Sequence, residues 1–445
     1  MRLPLETTRL IARIAWRNVR RNWRHSLAAL GTMAVGFVAL ALFQGYLGEL
    51  VRSQLDLVYS RNMVGDVMVR RRGAGERLAR VEPWRYRLDE AEQKFLDRWI
   101  AAHPGEVKTR VRTLLVQGMA HAGGSTAEFW GWGYDLAEGE ILRRGWAWNA
   151  WAGHPLRKDD RSGVLLGLSL GAILGCEASS TEPVMDPRTS TPRPVERPFR
   201  CKQQHLTLTA TSGHGRMNAV DAEVVGLTSS GAREFDERLL WLSVPFAQEL
   251  ASTNGITNYM IALHRPSDAP RLRAALGAEA RRAGFDLEVT DWKETEGADL
   301  LRRGLELLGV YRGLVVMVIL IIAGAAVLTT MMKTVRERTR EIGTMRSLGY
   351  RRHHLLAVFA LEAVLLALHA GVVGLLSSML ITAAVNSAGV MYKAGLMAES
   401  IPLRIGYSPV AWGWGFFFLS LVAVTAALLA ARKVTGMRIA AALAD

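Results

Sequence analysis

Between His25 and Glu49 the chain reads SLAALGTMAVGFVALALFQGYLG, a stretch without a single charged residue. A helix over it covers a hydrocarbon core of about 30 Å. The stretch is long, starts well inside the chain and has no A-x-A-type cleavage site before Glu49, so it reads as an uncleaved anchor rather than a signal peptide. A second span runs from Gly313 to Met332. A third lies within Leu355 to Val390, interrupted by Glu362 and His369, and a fourth fits inside the uncharged run from Ile405 to Ala431.

Four spans put both termini on one side of a membrane, and the basic residues say which side. Arg9, Arg13, Arg17, Arg20, Arg21 and Arg24 precede the first span. Lys333, Arg336, Arg338, Arg340, Arg346, Arg351 and Arg352 lie between the second and third, and Arg432, Lys433 and Arg438 follow the fourth. The connection between spans three and four holds only Lys393 and Arg404, so the positive-inside rule places the termini and the loop from Lys333 in the cytoplasm. The net charge of +14 is thereby accounted for by headgroups and orientation, and nucleic acid is not an expected partner.

Residues 49–312 are then outside, far more chain than a connecting loop needs. Strand-like alternation occurs in Asp66 to Arg70, Leu206 to Thr211, Ala222 to Gly226 and Leu239 to Val244. Helical patterns occur in Asp89 to Ala102 and Ala269 to Ala283, so an α+β domain is expected. From Glu177 to Arg200 five prolines and little apolar content predict an irregular excursion rather than packed structure. Cys176 and Cys201 bracket it. They are the two cysteines of the chain and fall in the compartment where disulfides persist, so they are expected to pair.

Ahead of the first span, Arg13, Arg17, Arg20 and Arg24 share one helical stripe, while Ala12, Trp16, Val19 and Trp23 form an apolar neighbour. Such a helix should lie along the inner membrane surface, attached to the first span like a lever.

The stretch Lys333 to Gly349, KTVRERTREIGTMRSLG, resembles the signature V-x-E-R-x-R-E-I-G-x-x-R-x-L-G of FtsX-like ABC transporter permeases, the group containing the MacB, LolC and LolE proteins. Matching residues are Val335, Glu337, Arg338, Arg340, Glu341, Ile342, Gly343, Arg346, Leu348 and Gly349. AWRNVRRNWRHS, LEAVLLALHAGVVG from Leu361 and the final AARKVTGMRIAAALAD are similar to the family's entry helix, third span and end. GDVMV at Gly65, GWGYDLAEGEI at Gly131, GVLLGLSLGAILG at Gly163 and VVGLTSSGAREFDERLLWLSVPFAQEL from Val224 look like the LolC and LolE layout. Where LolC-type proteins carry a protruding hook that meets a lipoprotein carrier, this chain has the short turn TSGHGRMN.

The resemblance implies a fold of an α-helical membrane protein with four transmembrane helices plus a large α+β extracytoplasmic domain inserted between helices 1 and 2. The expected divisions are 1–25 as a cytoplasmic-face helix, 26–48 as the first span, 49–312 as a MacB-like periplasmic core domain, and 313–445 as the permease domain with a coupling helix at 333–354. No G-x-x-x-x-G-K-[ST] pattern occurs. The resemblance therefore implies a separate cytoplasmic ATPase subunit that binds ATP and magnesium, docking on Glu337, Arg338, Arg340, Glu341 and Arg346, where mixed charge sets register. It also implies a second permease subunit, contact with membrane lipids, and a periplasmic carrier or adaptor. The expected function is extraction or release of lipoprotein, or of another amphipathic substrate, at a bacterial inner membrane. The alternatives are a MacB-like mechanotransmission exporter, an FtsX-like regulator, and a sensor without transport.

Catalysis by this chain is not expected. Gly167-Leu168-Ser169-Leu170-Gly171 satisfies G-x-S-x-G, but the surrounding apolar run VLLGLSLGAILG reads as one buried helix rather than a strand-turn-helix elbow. The ten histidines include no H-E-x-x-H and no metal-ligating spacing. Glu362 and His369, seven residues apart on one face, have proton-relay spacing; orientation of the helix at the membrane border is the better reading for Glu362. Tryptophans cluster at Trp130 and Trp132 and at Trp146, Trp148 and Trp151; 130/132 and 146/148 would each share a face if on strands, and core is the favoured reading over a binding surface.

Overall fold

A computed structural model of the protein describes residues 13–435, apart from 19, 21–22, 77–78, 80, 181–182, 187–190, 213–214, 232, 295 and 393–399. The final segment AARKVTGMRIAAALAD is thus described only in its first residues, and Ala12 and Val19 of the entry helix lie outside the described set. The chain divides into two compact units. One comprises Met1–Val51, Leu305–Ala388 and Leu403–Asp445; the other comprises Arg52–Gly304 and Gly389–Pro402. Residues 389–402, expected inside the permease domain, therefore group with the second unit.

The first unit is helical: α1 (Trp23–Asp56), α2 (Glu296–Glu337), α3 (Thr339–Ser347), α4 (Arg352–Ala388) and α5 (Pro409–Thr435). Among the described residues, four helices are long and apolar enough to cross a membrane. Their shared core sets Met33 and Phe37 of α1 against Val327 of α2, Phe359, Leu366 and Ala370 of α4, and Leu419, Ala423 and Ala427 of α5. The alanines let helix backbones approach closely where no hydrophobic effect between helices drives association. Both α1 and α2 overrun the expected boundaries. Hydropathy marks where lipid would end, not where a helix ends: α1 passes Glu49 to Asp56 and closes in a π-turn at Leu57–Arg61, and α2 is already helical from Glu296.

The second unit is an α+β domain. Its strands are β1 (Val67–Arg71), β2 (Val107–Ala122), β3 (Ser125–Tyr134), β4 (Ala152–Gly153), β5 (Gly163–Gly167), β6 (Cys176–Ala178), β7 (Phe199–Cys201), β8 (His205–Thr211), β9 (Met217–Thr228), β10 (Leu239–Ser243), β11 (Asn258–Leu263) and β12 (Leu287–Thr290), with the short antiparallel pair β13 (Met391–Tyr392) and β14 (Ile401–Pro402). Ten form one sheet in the order β12-β1-β11-β2-β3-β10-β5-β9-β4, with β8 pairing both β2 and β9. The helix Glu90–Ala101 begins in a capping box: Asp89 accepts from the Ala91 and Glu92 amides at 2.9 Å, and Glu92 accepts from the Asp89 amide at 2.8 Å. Its Leu96 and Trp99 join Leu272 and Leu276 of the helix Ala269–Arg282 against Val67, Val69, Tyr259 and Ile261 of the sheet.

Two expectations are corrected here and a third is refined. The run from Gly163 is not one helix; it is buried β5 followed by the short helix Leu168–Ile173. A strand covered on both faces is apolar throughout, and periodicity cannot separate it from a buried helix. Trp146 ends a 3₁₀ turn at Arg144–Trp146, and Trp148 lies outside any strand, so this pair shares no strand face. Finally, the proline-rich excursion is irregular over most of its described part, as expected, but it is paired at its base and crossed by isolated bridges. β6 pairs antiparallel with β7, Met185 bridges Pro192, and the Gly153 amide donates to the Arg197 carbonyl at 2.8 Å, tying the excursion to β4. Prolines lack donors, but their carbonyls and neighbours still complete such a ladder.

Candidate functional site

The segment expected to be a single helix over 333–354 is broken twice. Arg338 separates α2 from α3 with φ −105° and ψ 15°, outside the helical well. At the far end, the Gly349 amide donates to the Arg346 carbonyl and the Tyr350 amide to the Met345 carbonyl, both at 3.1 Å. With Gly349 at φ +92° this is a Schellman ending, which requires a residue tolerant of the left-handed region. The Leu-Gly closing the motif thus has a backbone reason: it turns the chain so that α4 starts at Arg352.

The motif residues separate by face. Val335 and Ile342 are almost fully buried, in the core with Met331, Leu355 and Phe359. Arg340, Glu341 and Thr344 are exposed at the three-and-four spacing of one face of α3, and Glu337, the last residue of α2, and Leu348, just past α3, are exposed on either side of it. Lys333 lies 4.0 Å from Glu337 one turn earlier. Arg346 is half-buried.

Arg338 departs from the expected docking set. Its residue exposure is 7%, and its Nη1 donates to both Glu362 oxygens at 3.2 and 3.1 Å while its Nε donates to Glu341 Oε2 at 3.1 Å. The guanidinium also stands 5.7 Å from the Phe359 ring centroid. A charge so enclosed is unavailable to a docking protein; it is held because Glu362, inside the apolar α4, needs a partner. Asn18 supplies the remaining donor, its Nδ2 lying 2.6 Å from Glu362 Oε1. Sequence reading placed Glu362 at the membrane border but missed Asn18, since a lone amide in a basic helix carries no signal. Of the entry helix, Ala15 is fully buried and Trp16 is half exposed, with its ring 5.9 Å from His369. His369 hydrogen-bonds the Leu365 carbonyl through Nδ1 at 2.7 Å, so Glu362 and His369 have separate partners rather than a shared relay.

In the second unit Cys176 and Cys201 are disulfide-bonded and stand opposite each other in the β6–β7 register. Among the described residues neither cysteine is free and no metal-binding cluster occurs. Ser169 sits at the strand-to-helix junction an elbow would need, yet no His or acid among the described residues hydrogen-bonds it. The glycines of that motif serve packing instead. A Cβ on Gly167 would come within 2.3 Å of the Asp236 carbonyl oxygen, and one on Gly171 within 2.7 Å of Leu227. Trp151 is buried and Trp130 is 36% exposed, so the core reading holds for the first and not fully for the second. Arg61 is stacked between Trp146 and Trp151 at 4.8 and 5.1 Å, and Arg143 lies over Tyr134 and Trp241 at 4.6 and 4.7 Å. Burial lowers the affinity of Arg143 for its proton, and raises that of the Asp236 carboxyl.

Residues 313–439 match the family described as FtsX-like permease C-terminal, so this part of the chain is an FtsX-like permease domain. Similar curated proteins include the macrolide export ATP-binding/permease protein MacB of Nitrosomonas europaea, 38% identical over 22% of this chain and 16% of that protein. The MacB of Bordetella avium is 28% identical over 41% of this chain and 29% of that protein. The pyoverdine export ATP-binding/permease protein PvdT of Pseudomonas entomophila is 27% identical over 42% and 29%. The chain thus matches less than a third of the length of these relatives. Among solved structures, the periplasmic region of MacB from Actinobacillus actinomycetemcomitans aligns over 55% of this chain and 94% of its own at 11% identity and a TM-score of 0.32. The extracellular domain of the noncanonic ABC-type transporter YknZ from Gram-positive bacteria aligns over 51% and 99%, also at 11% and 0.32.

Proposed function

We propose that this chain is the non-catalytic permease subunit of an ATP-driven transporter at a bacterial inner membrane, working as a pair with a second permease subunit. The cytoplasmic ATPase partner binds ATP and magnesium and seats against α3. The carrying observation is the exposed face Arg340, Glu341 and Thr344 of the short helix α3, flanked by exposed Glu337 at the end of α2 and Leu348 just past α3, while Ile342 on the other side is anchored in the core. Alternating charge with one exposed leucine suits a polar cleft, where charge sets register and specificity. Both termini and α3 are cytoplasmic in this reading, and the α+β unit is periplasmic.

Export of an amphipathic substrate, driven mechanically, is favoured over lipoprotein release. The similar proteins named above are exporters, and the turn TSGHGRMN stands where a carrier-binding hook would be needed. The test is co-purification of the chain with an ABC ATPase subunit from its own organism, followed by ATP turnover in lipid vesicles. A chain that purifies without an ATPase, and vesicles in which it leaves ATP turnover unchanged, would refute the reading.

A further inference from the structure

Arg338, Glu362 and Asn18 come from three separate elements: the break between α2 and α3, the third apolar helix α4, and the entry helix. α3 is contiguous with α2 through one non-helical residue, but that residue's side chain is bonded to α4. The Glu362 carboxylate receives Arg338 on both oxygens and Asn18 on one; Arg338 and Glu362 are buried and Asn18 is half-buried. A buried charge pair resists separation because parting it leaves each charge without water or partner. Arg338, by contrast, lies outside the helical well, and although its carbonyl accepts from the Ile342 amide at 3.0 Å, the ladder of α2 does not continue through it, which makes it the place where the two helices can bend.

We propose that Arg338, Glu362 and Asn18 form a lock that makes α3, α4 and the entry helix one moving body, hinged against α2 at Arg338. Arg338 is then a positioning residue: motion received on the exposed face of α3 passes to α4 and the entry helix rather than along the chain into α2. The second contact of the entry helix, Trp16 beside His369 on α4, belongs to the same body. The transmission part of this inference rests on the ATPase docking proposed above; the lock does not.

The test is a cycle of Arg338→Gln, Glu362→Gln and the double variant in the full complex. Arg338→Gln leaves the buried Glu362 carboxylate with Asn18 alone and Glu362→Gln leaves Arg338 with Glu341 alone; each should lower thermal survival in detergent and ATP turnover, the latter roughly ten-fold, while the double variant should recover to within roughly three-fold of the parent. A double variant no better than the single ones, or singles that match the parent, overturns the lock. Loss confined to Arg338→Gln, with Glu362→Gln unaffected, overturns it in favour of direct contact with the ATPase. Spin labels then read the motion. With ATP, the distance from Thr344 to Val372 on α4 should hold while that from Thr344 to Leu314 on α2 changes; the reverse pattern overturns the hinge. If no ATPase binds even the parent chain, the proposed function fails, and the survival cycle still decides the lock.

Discussion

Arg338 and Glu362 are 24 residues apart in sequence and joined through one guanidinium nitrogen to both carboxylate oxygens, at 3.2 and 3.1 Å. The pairing turns inward an arginine that the motif would assign to docking, while Arg340 and Glu341 stay exposed.

Reversing this exposed pair with Arg340→Glu and Glu341→Arg should weaken association with the ATPase, since like-charge juxtaposition at a contact costs several kcal/mol. Membrane insertion should survive, because Lys333, Arg346, Arg351 and Arg352 remain. Co-purification of the ATPase at the parent's level would show that α3 is only a topological anchor.

Orientation has its own check. A cysteine placed at the exposed Glu196 should react with a membrane-impermeant label in intact spheroplasts, and one placed at Thr344 only after the membrane is opened. The opposite labelling pattern is incompatible with the proposed function.

Reduction of the Cys176–Cys201 bond, which spans 25 residues of sequence, should lower stability by about 3 kcal/mol in the chain-entropy account. The melting temperature of the second unit with and without reductant measures this. Cleavage between residues 177 and 200 should also become faster, and unchanged melting and cleavage would count against the excursion as a stapled element.

Gly167→Ala should cost about 1–3 kcal/mol or prevent folding of the second unit, because the added carbon meets the Asp236 backbone. Ser169→Ala should change neither melting nor ATP turnover. Loss of turnover in Ser169→Ala with folding intact would revive a chemical role for the serine.

Asp236 titrates above an ordinary aspartate because burial opposes its charge, although Ser229, Ser230 and Arg61 act against that. A raised folded value means that the folded state binds the proton more tightly. The stabilisation is present below the unfolded pKa and is lost as pH rises through the folded one. Asp236→Asn should therefore match or exceed the parent's melting temperature at pH 7, with the parent gaining relative to it on acidification through that window. A parent advantage that grows with pH would contradict the assignment.

The sequence alone determined what depends on local composition. Uncharged length set four spans, lysine and arginine placement set the expected orientation, and alternation located β1, β8 and β10. The helical pattern from Asp89 to Ala102 marked a helix, and the motif from Val335 marked an FtsX-like segment. Tertiary structure decided what depends on residues meeting across the chain. Whether VLLGLSLGAILG is strand or helix was settled by β9 and β10 on either side of β5, and the closure of the proline-rich excursion at its base needed the pairing of β6 with β7. The role of Arg338 was illegible in the motif because its one-dimensional pattern gives every charge the same apparent exposure. Only the packing of α4 and the entry helix supplies the buried carboxylate and amide that turn this arginine inward, while Arg340 and Glu341 remain in solvent.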